Sequence, residues 1–314
     1  MFEVRCVVDC NNGLGECPVW CPEQQVLWWV DISKPSLSRL HPASGKVDTW
    51  PLPRTIGSFA LRQGGGFLLA FRTGLATMAQ PGAAIEWIDL PDTRPADGRF
   101  NDGKCDSRGR FWVGSMDRNL TNPIGELYRI DGGSAPAGTA VANPAADPAA
   151  AASGPAHATC TVMDRGFTIS NGLGWSPDQR TLYFTDSPPR RIYAYDFDAA
   201  AGTIAKRRVF VQFDDAPGRP DGCSVDAEGF VWVARVRGWR IDRYDPDGRL
   251  ERTIDLPFER PTSLVFGGPD LTTLYVTSST LTLTPEDLSK QPQAGGVFAI
   301  ETGIKGQHEH RFAG

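Results

Sequence analysis

The sequence predicts an all-β fold: a six-bladed β-propeller with four antiparallel strands per blade, in one domain over residues 1–314. Three observations predict it. A turn followed by a short apolar, often aromatic run recurs six times. Each run is flanked by further short apolar segments, separated by Gly, Pro and Asp turns. No segment sustains the 3.6-residue period of an amphipathic helix, which excludes a helical solenoid.

The six runs are PEQQVLWWVD (22–31), QGGGFLLAFR (63–72), SRGRFWVGSM (107–116), PDQRTLYFTD (177–186), AEGFVWVARV (227–236) and GPDLTTLYVTS (268–278). Their spacing is in the forties except for one gap of about seventy residues, which an insertion explains. A short first strand precedes each: PVWC, FALR, GKCD, LGWS, CSVD and SLVF. A third follows: LSRLHP, LATMAQ, ELYRID, IYAYDFD, IDRYDP and VFAIET. Four units show a fourth, edge-like strand: VDTWPL, IEWIDL, KRRVFVQF and LERTIDL. The early segment FEVRCVVD is expected to supply the outer strand of the last blade, closing the ring without leaving a long open edge. The insertion, residues 132–158, is almost all Ala, Pro, Gly and Ser and reads as a mobile surface loop.

Composition narrows the function. With 40% hydrophobic and 22% charged residues, a folded soluble protein is expected. Net charge is -5 and no Lys/Arg run stands out, which argues against nucleic acid as partner. Nothing reaches the length of a membrane span, and Met1–Arg5 does not begin a signal peptide, so the expected compartment is the cytoplasm. A monomer or weak dimer is expected. Of seven cysteines, Cys6, Cys10, Cys17 and Cys21 cluster as C-x3-C-x6-C-x3-C, a poor match to zinc modules; they read as small buried apolar residues. The four histidines, at 41, 157, 308 and 310, argue against a His-based triad or metal site.

Aligning the units by the turn that ends their first strand brings four polar residues into register: Glu16, Asn101, Asn171 and Asp221. The place falls near Gly57 or Ser58 in the second unit and near Thr262 or Ser263 in the sixth. First strands of propeller blades line the central channel, so these side chains are expected to meet at one mouth. Singly, Asn171-Gly172, Asp102-Gly103 and Pro220-Asp221-Gly222 are ordinary turn formers. Turn chemistry does not call for Glu16. Oxygen ligands from Glu, Asp and Asn suit a hard divalent cation such as Ca²⁺, Mg²⁺ or Mn²⁺; Zn²⁺ or Fe²⁺ would lack its usual nitrogen or sulfur ligands. Three protein ligands leave positions open for water and substrate.

These landmarks carry a resemblance. LGECPVW (14–20), RFNDGKCDSRGRFWVGSMD (99–117), SNGLGWSPDQRTLYFTDS (170–187), RPDGCSVDAEGFVWVA (219–234) and AGGVFAI (294–300) together resemble the senescence marker protein/gluconolactonase family of regucalcin-like propellers. The likeness covers nearly the whole chain outside the insertion. The family typically has Gly where Cys17 stands. The resemblance implies one divalent metal held by Glu16, Asn171 and Asp221, and substrate contacts from Arg99, Asn101 and Asp117. It implies hydrolysis of a sugar lactone to the aldonic acid, with Asp221 as general base or, by direct attack, as nucleophile. Two other readings stand beside it: a metal-dependent esterase or phosphotriesterase of a related propeller type, and a non-catalytic calcium-binding propeller.

Overall fold

Each of the six apolar runs forms the second strand of a four-stranded antiparallel sheet, buried on both faces. The structure is a computed structural model describing residues 2–90, 95, 97–133, 158–214 and 217–314. The blades, in strand order from the channel outwards, begin with Gly15–Cys21, Val26–Asp31, Ser36–His41 and Lys46–Pro51. Blade 2 is Ile56–Leu61, Phe67–Phe71, Gly74–Met78 and Ile85–Trp87; blade 3 is Gly98–Cys105, Phe111–Asp117, Gly125–Gly132 and Ala158–Phe167. Blade 4 is Ser170–Trp175, Thr181–Asp186, Arg191–Asp198 and Thr203–Gln212; blade 5 is Arg219–Val225, Val231–Val236, Arg240–Tyr244 and Leu250–Asp255. Blade 6 is Pro261–Gly267, Thr273–Ser278 and Val297–Glu301, with Val4–Val8 as its outer strand. The ring therefore closes through the early segment, as its apolar pattern predicts.

The core lies between blades. Successive side chains of a strand point to opposite faces, so each second strand feeds two interfaces. Trp28 and Val30 pack against Phe59 and Phe67 of blade 2, while Leu27 and Trp29 pack with Val265 and Tyr275 of blade 6. Trp112 joins Leu173 and Phe184 of blade 4, while Phe111 and Val113 join Ala60 and Leu68 of blade 2. Burial on both faces explains why these strands read as continuous apolar runs, not as an alternation.

A turn device repeats with them. Asp106 and Asp226 end the first strands of blades 3 and 5. Each accepts from backbone N–H groups of the following turn and from an indole, Trp112 Nε1 and Trp232 Nε1, both at 2.8 Å. Trp232 is fully buried and meets Phe266 edge-on at 5.7 Å. Trp232→Ala is expected to cost about 3–5 kcal/mol through the cavity left beside Phe266, read as a lower urea midpoint; a loss under about 1 kcal/mol would contradict this packing account.

Three features were not visible in the sequence. Blade 3 has its fourth strand at Ala158–Phe167, beyond the insertion, with Gly132 paired to Ala158; the Ala/Pro tract hides its pattern. Residues 134–157, the bulk of the segment read as a mobile loop, lie outside the described residues. A short helix, Pro285–Lys290, sits between the second and third strands of blade 6, with a capping box between Thr284 and Asp287. It is too short to show a helical period. Among the described residues no helix is long and apolar enough to cross a membrane.

The third feature is a strap over residues 304–314 at the end of the channel opposite the polar cluster. Gly306 bridges to Asp226, Gln307 Nε2 donates to the Trp175 and Val225 carbonyls, and Phe312 bridges to Arg62. Ala313 N donates to Gly109 O, and Arg311 pairs with Glu23. Glu309 reaches into the channel and pairs with Lys104 at 2.8 Å. His308 and His310 belong to this strap. All seven cysteines are free thiols; Cys17, Cys21, Cys105 and Cys223 are buried, while Cys6, Cys10 and Cys160 are partly so.

Candidate functional site

The site begins with a backbone irregularity shared by all six first strands. Each ladder slips at the same place: Glu16/Val19, Ile56/Ser58, Phe100/Gly103, Asn171/Leu173, Pro220/Cys223 and Pro261/Ser263. A β-bulge frees residues from the ladder and re-aims their side chains. Asn101, Asp102 and Asp221 lie within these slips; Glu16 and Asn171 are the last paired residues before them. In blade 4, a side-chain carbon on Gly172 would lie 2.6 Å from the Asp221 carbonyl, so glycine lets neighbouring first strands approach closely there. Cys17 lies in the blade 1 bulge with φ 49°. This left-handed conformation suits glycine and costs another residue about 1–2 kcal/mol.

The structure brings Glu16, Asn101, Asn171 and Asp221 to one mouth of the channel. Asn101 Nδ2 donates to Asn171 Oδ1 at 2.7 Å and to Ser170 O at 2.9 Å. Asn171 Nδ2 in turn donates to Ser187 Oγ at 2.8 Å. Arg99 Nη1 donates to Asn101 Oδ1 at 3.0 Å, so one polar chain runs from Arg99 through Asn101 to Asn171. Glu16 is buried, with Oε2 accepting a long bond from Cys17 N at 3.2 Å. Asp221 Oδ1 is buried and, among the described residues, has no hydrogen-bond partner.

The electrostatics of this mouth are unfavourable as they stand. Burial, and then the charges of Asp221 and Asp102, push the Glu16 carboxyl well above its ordinary range. Burial, and then Asp102, do the same to Asp221. Asp102 is held at about 6, raised by burial against the pull of Lys104. An unpaired buried carboxylate is expensive, and two facing each other are more so. Such a donor set suits a divalent cation. Glu16 and Asp221 supply anionic oxygens, and Asn171 Oδ1 keeps a second lone pair beyond the Asn101 bond. Among the described residues, no group of three or more His, Cys, Asp and Glu side chains is placed to hold a metal; the set that fits is mixed, two carboxylates and an amide.

In the sequence Asp102 reads only as a turn former, before Gly103. The available signal was its place beside Asn101 in an Asp-Gly bend like the Asp221-Gly222 bend of blade 5. Below it the channel carries Lys104, Cys17, Cys223 and the strap's Glu309.

Asp117 sits differently from the others. It is fully buried at the end of the second strand of blade 3. Its oxygens accept from Asn119 N, Thr121 N, Thr121 Oγ1 and Asn122 N, and these bonds, that from Asn119 first, bring its carboxyl down to about 2. Asp31 and Asp186 occupy the same blade position and likewise accept from nearby backbone N–H groups. The geometry gives Asp117 the work of bracing the loop 118–122. Asp117→Asn is expected to lower the melting temperature by several degrees while changing kcat/KM less than about threefold. A kinetic loss well beyond that with no thermal change would instead place Asp117 on the substrate.

Comparison with known proteins adds to this geometry. Residues 14–280 match the SMP-30/Gluconolactonase/LRE-like region. A 6-deoxy-6-sulfogluconolactonase of Pseudomonas putida is 37% identical over 313 residues, covering 99% of both chains. A pentonolactonase of Haloferax volcanii is 33% identical over 313 residues, covering 97% of this chain and 96% of that one. Among solved structures, a calcium-binding regucalcin from Agrobacterium tumefaciens superposes with a TM-score of 0.86 at 28% identity, covering 99% of this chain and 97% of that one.

Proposed function

The chain belongs to the SMP-30/gluconolactonase family, and from that premise we propose that it is a metal-dependent sugar lactonase, opening an aldonolactone to its aldonic acid. One observation carries the metal-dependent part: the buried, unpartnered Asp221 Oδ1 beside the buried Glu16 carboxylate and the Asn101–Asn171 pair. Relatives at 37% and 33% identity that bear the names of lactonases support the reaction class.

Glu16, Asn171 and Asp221 would hold one divalent cation, of the oxygen-seeking kind their donor set fits. Bound there, it supplies Lewis-acid polarisation of the lactone carbonyl. The chain's own residues do the rest. Asn101 fixes the direction of Asn171 Oδ1 and ties it to Arg99. Arg99, with Asn101, holds carbonyl or hydroxyl oxygens of the sugar by directional hydrogen bonds. Asp221 takes a proton from the attacking water and returns it to the ring oxygen as the acyl–oxygen bond breaks.

The assignment is tested by assaying purified protein against five- and six-carbon aldonolactones, an aryl ester and a phosphotriester with one divalent ion present. Aldonolactones are expected to give the highest kcat/KM. Preference for the phosphotriester, or calorimetric binding of a lactone with no turnover, would overturn it.

A further inference from the structure

Blades 2 and 6 bring no carboxylate or amide to the repeat position that carries Glu16, Asn101, Asn171 and Asp221. They bring Ser58 and Thr262, at the slips of their own first strands. Both side chains are buried. A buried hydroxyl needs a partner, and each finds one on the next blade. Thr262 Oγ1 donates to Gly15 O at 2.5 Å. Ser58 Oγ donates to Asn101 O at 2.7 Å. Each acceptor belongs to a peptide flanking a site residue: Gly15 O to the one that leads into Glu16, Asn101 O to the one that leaves Asn101.

These bonds have a direction. A hydroxyl carries one proton, and Thr262 gives its own to Gly15 O, which can only accept. Thr262 Oγ1 therefore accepts from Thr277 Oγ1, 2.9 Å away, with Ser263 O as a longer second acceptor of Thr277 at 3.3 Å. Donation into Thr262 strengthens its bond to Gly15. A peptide unit is planar, so a held carbonyl oxygen orients the rest of the unit. Glu16 depends on that hold, because the bond its Oε2 accepts comes from its own neighbour, Cys17 N. The same blade-to-blade sense continues around the mouth. Cys17 Sγ donates to Phe59 O at 3.5 Å, and Asn101 Nδ2 to Ser170 O. Blades 4 and 5 hand over through glycines instead. A side-chain carbon on Gly172 would lie 2.6 Å from Asp221 O, and one on Gly222 would lie 2.6 Å from Ser263 Cα. We propose that Thr262 and Ser58 are positioning residues of the site: Thr262 aims Glu16 at the cation, and Ser58 aims Asn101 at the sugar. This rests on the lactonase reading and extends it to the two blades that supply none of its ligands.

The test pairs calorimetric titration of metal-stripped protein with Ca²⁺ and Mn²⁺ and steady-state kinetics on gluconolactone at saturating ion. Wild type, Thr262→Ala, Thr262→Ser and Ser58→Ala are compared, with melting curves to establish that each is folded. Thr262→Ala is expected to weaken ion binding about tenfold and, once the ion saturates, to keep kcat within about threefold of wild type. Thr262→Ser keeps the hydroxyl and should bind the ion within about threefold of wild type. Ser58→Ala should show the converse, an ion Kd within about threefold of wild type and a KM raised about tenfold. A merely structural role would lower the melting temperature of both Ala variants without this split. Should Thr262→Ala not fold, Thr262→Val removes the same hydroxyl and fills its space. An unchanged ion Kd in the folded variant, or equal weakening in Thr262→Ala and Thr262→Ser, overturns the role of Thr262. An unchanged KM in folded Ser58→Ala overturns that of Ser58. Ion binding by wild type with no turnover of any lactone refutes the lactonase reading and Ser58 with it, while the ion affinities still decide Thr262. No ion bound by wild type refutes the cation reading and Thr262 together.

Discussion

Asp221→Asn is expected to fold like wild type and to lose about 10³-fold or more of kcat on aldonolactones. Two roles are removed at once. General-base catalysis contributes about 10²–10⁴-fold, and the neutral amide is also a weaker ligand for a hard cation. The fold survives because the amide is isosteric and the bend is made by Gly222, packed against Ser263 of blade 6. Burying an amide in place of an unpartnered carboxylate is the cheaper arrangement without metal. Steady-state assays with a divalent ion in excess check this. Wild-type turnover by the variant would remove Asp221 from the mechanism. Single-turnover reactions in ¹⁸O-water test direct attack by Asp221: label found in its carboxylate would show a nucleophile whose mixed anhydride is opened at the Asp221 carbonyl.

The second large effect is on stability. Glu16 and Asp221 both have proton affinities raised by burial and by neighbouring acid. A carboxylate raised in the folded state contributes stability that is present below its ordinary pKa, about 4. That stability is lost as pH rises through the raised value. The metal-free chain is therefore expected to grow less stable from acid towards neutral and mildly alkaline pH. A divalent cation binds the ionised form and reverses the trend, so its stabilising effect should grow with pH. At about a hundredfold excess over Kd the gain is about 2.7 kcal/mol. Without metal, Asp221→Asn should be more stable than wild type at pH 8, by on the order of 2 kcal/mol; with metal the order should invert. Melting curves across pH, with chelator and with Ca²⁺, Mg²⁺, Mn²⁺ or Zn²⁺, measure both. A pH-independent metal effect, or a variant stabilised as much by metal as wild type, would contradict this account.

The architecture was readable because blade packing leaves a periodic trace. Both faces of each second strand are covered, so runs such as VLWWV and FVWVA stand out from their turns. The site was partly readable for the same reason: a repeat position is a spatial position, and Glu16, Asn101, Asn171 and Asp221 do meet at one mouth. Other parts left no such trace. Asp102 and Asp221 look alike as Asx-Gly turn formers, and only the bulge shows that both enter the channel. Asp117 looks like a site residue because it ends the RFNDGKCDSRGRFWVGSMD stretch, yet its oxygens are spent on its own loop. The strap at 304–314 follows the last repeat and is defined by its contacts with many blades, which no local pattern encodes.

The central claim is that a cation held by Glu16, Asn171 and Asp221 is needed for lactone hydrolysis. A pH-stat titration of metal-stripped protein with a panel of aldonolactones tests it most directly, with each divalent ion added back in turn. The account predicts acid release at the spontaneous rate until an ion is added, then turnover in wild type and almost none in Asp221→Asn. Full acid release by a demonstrably metal-free sample would contradict it.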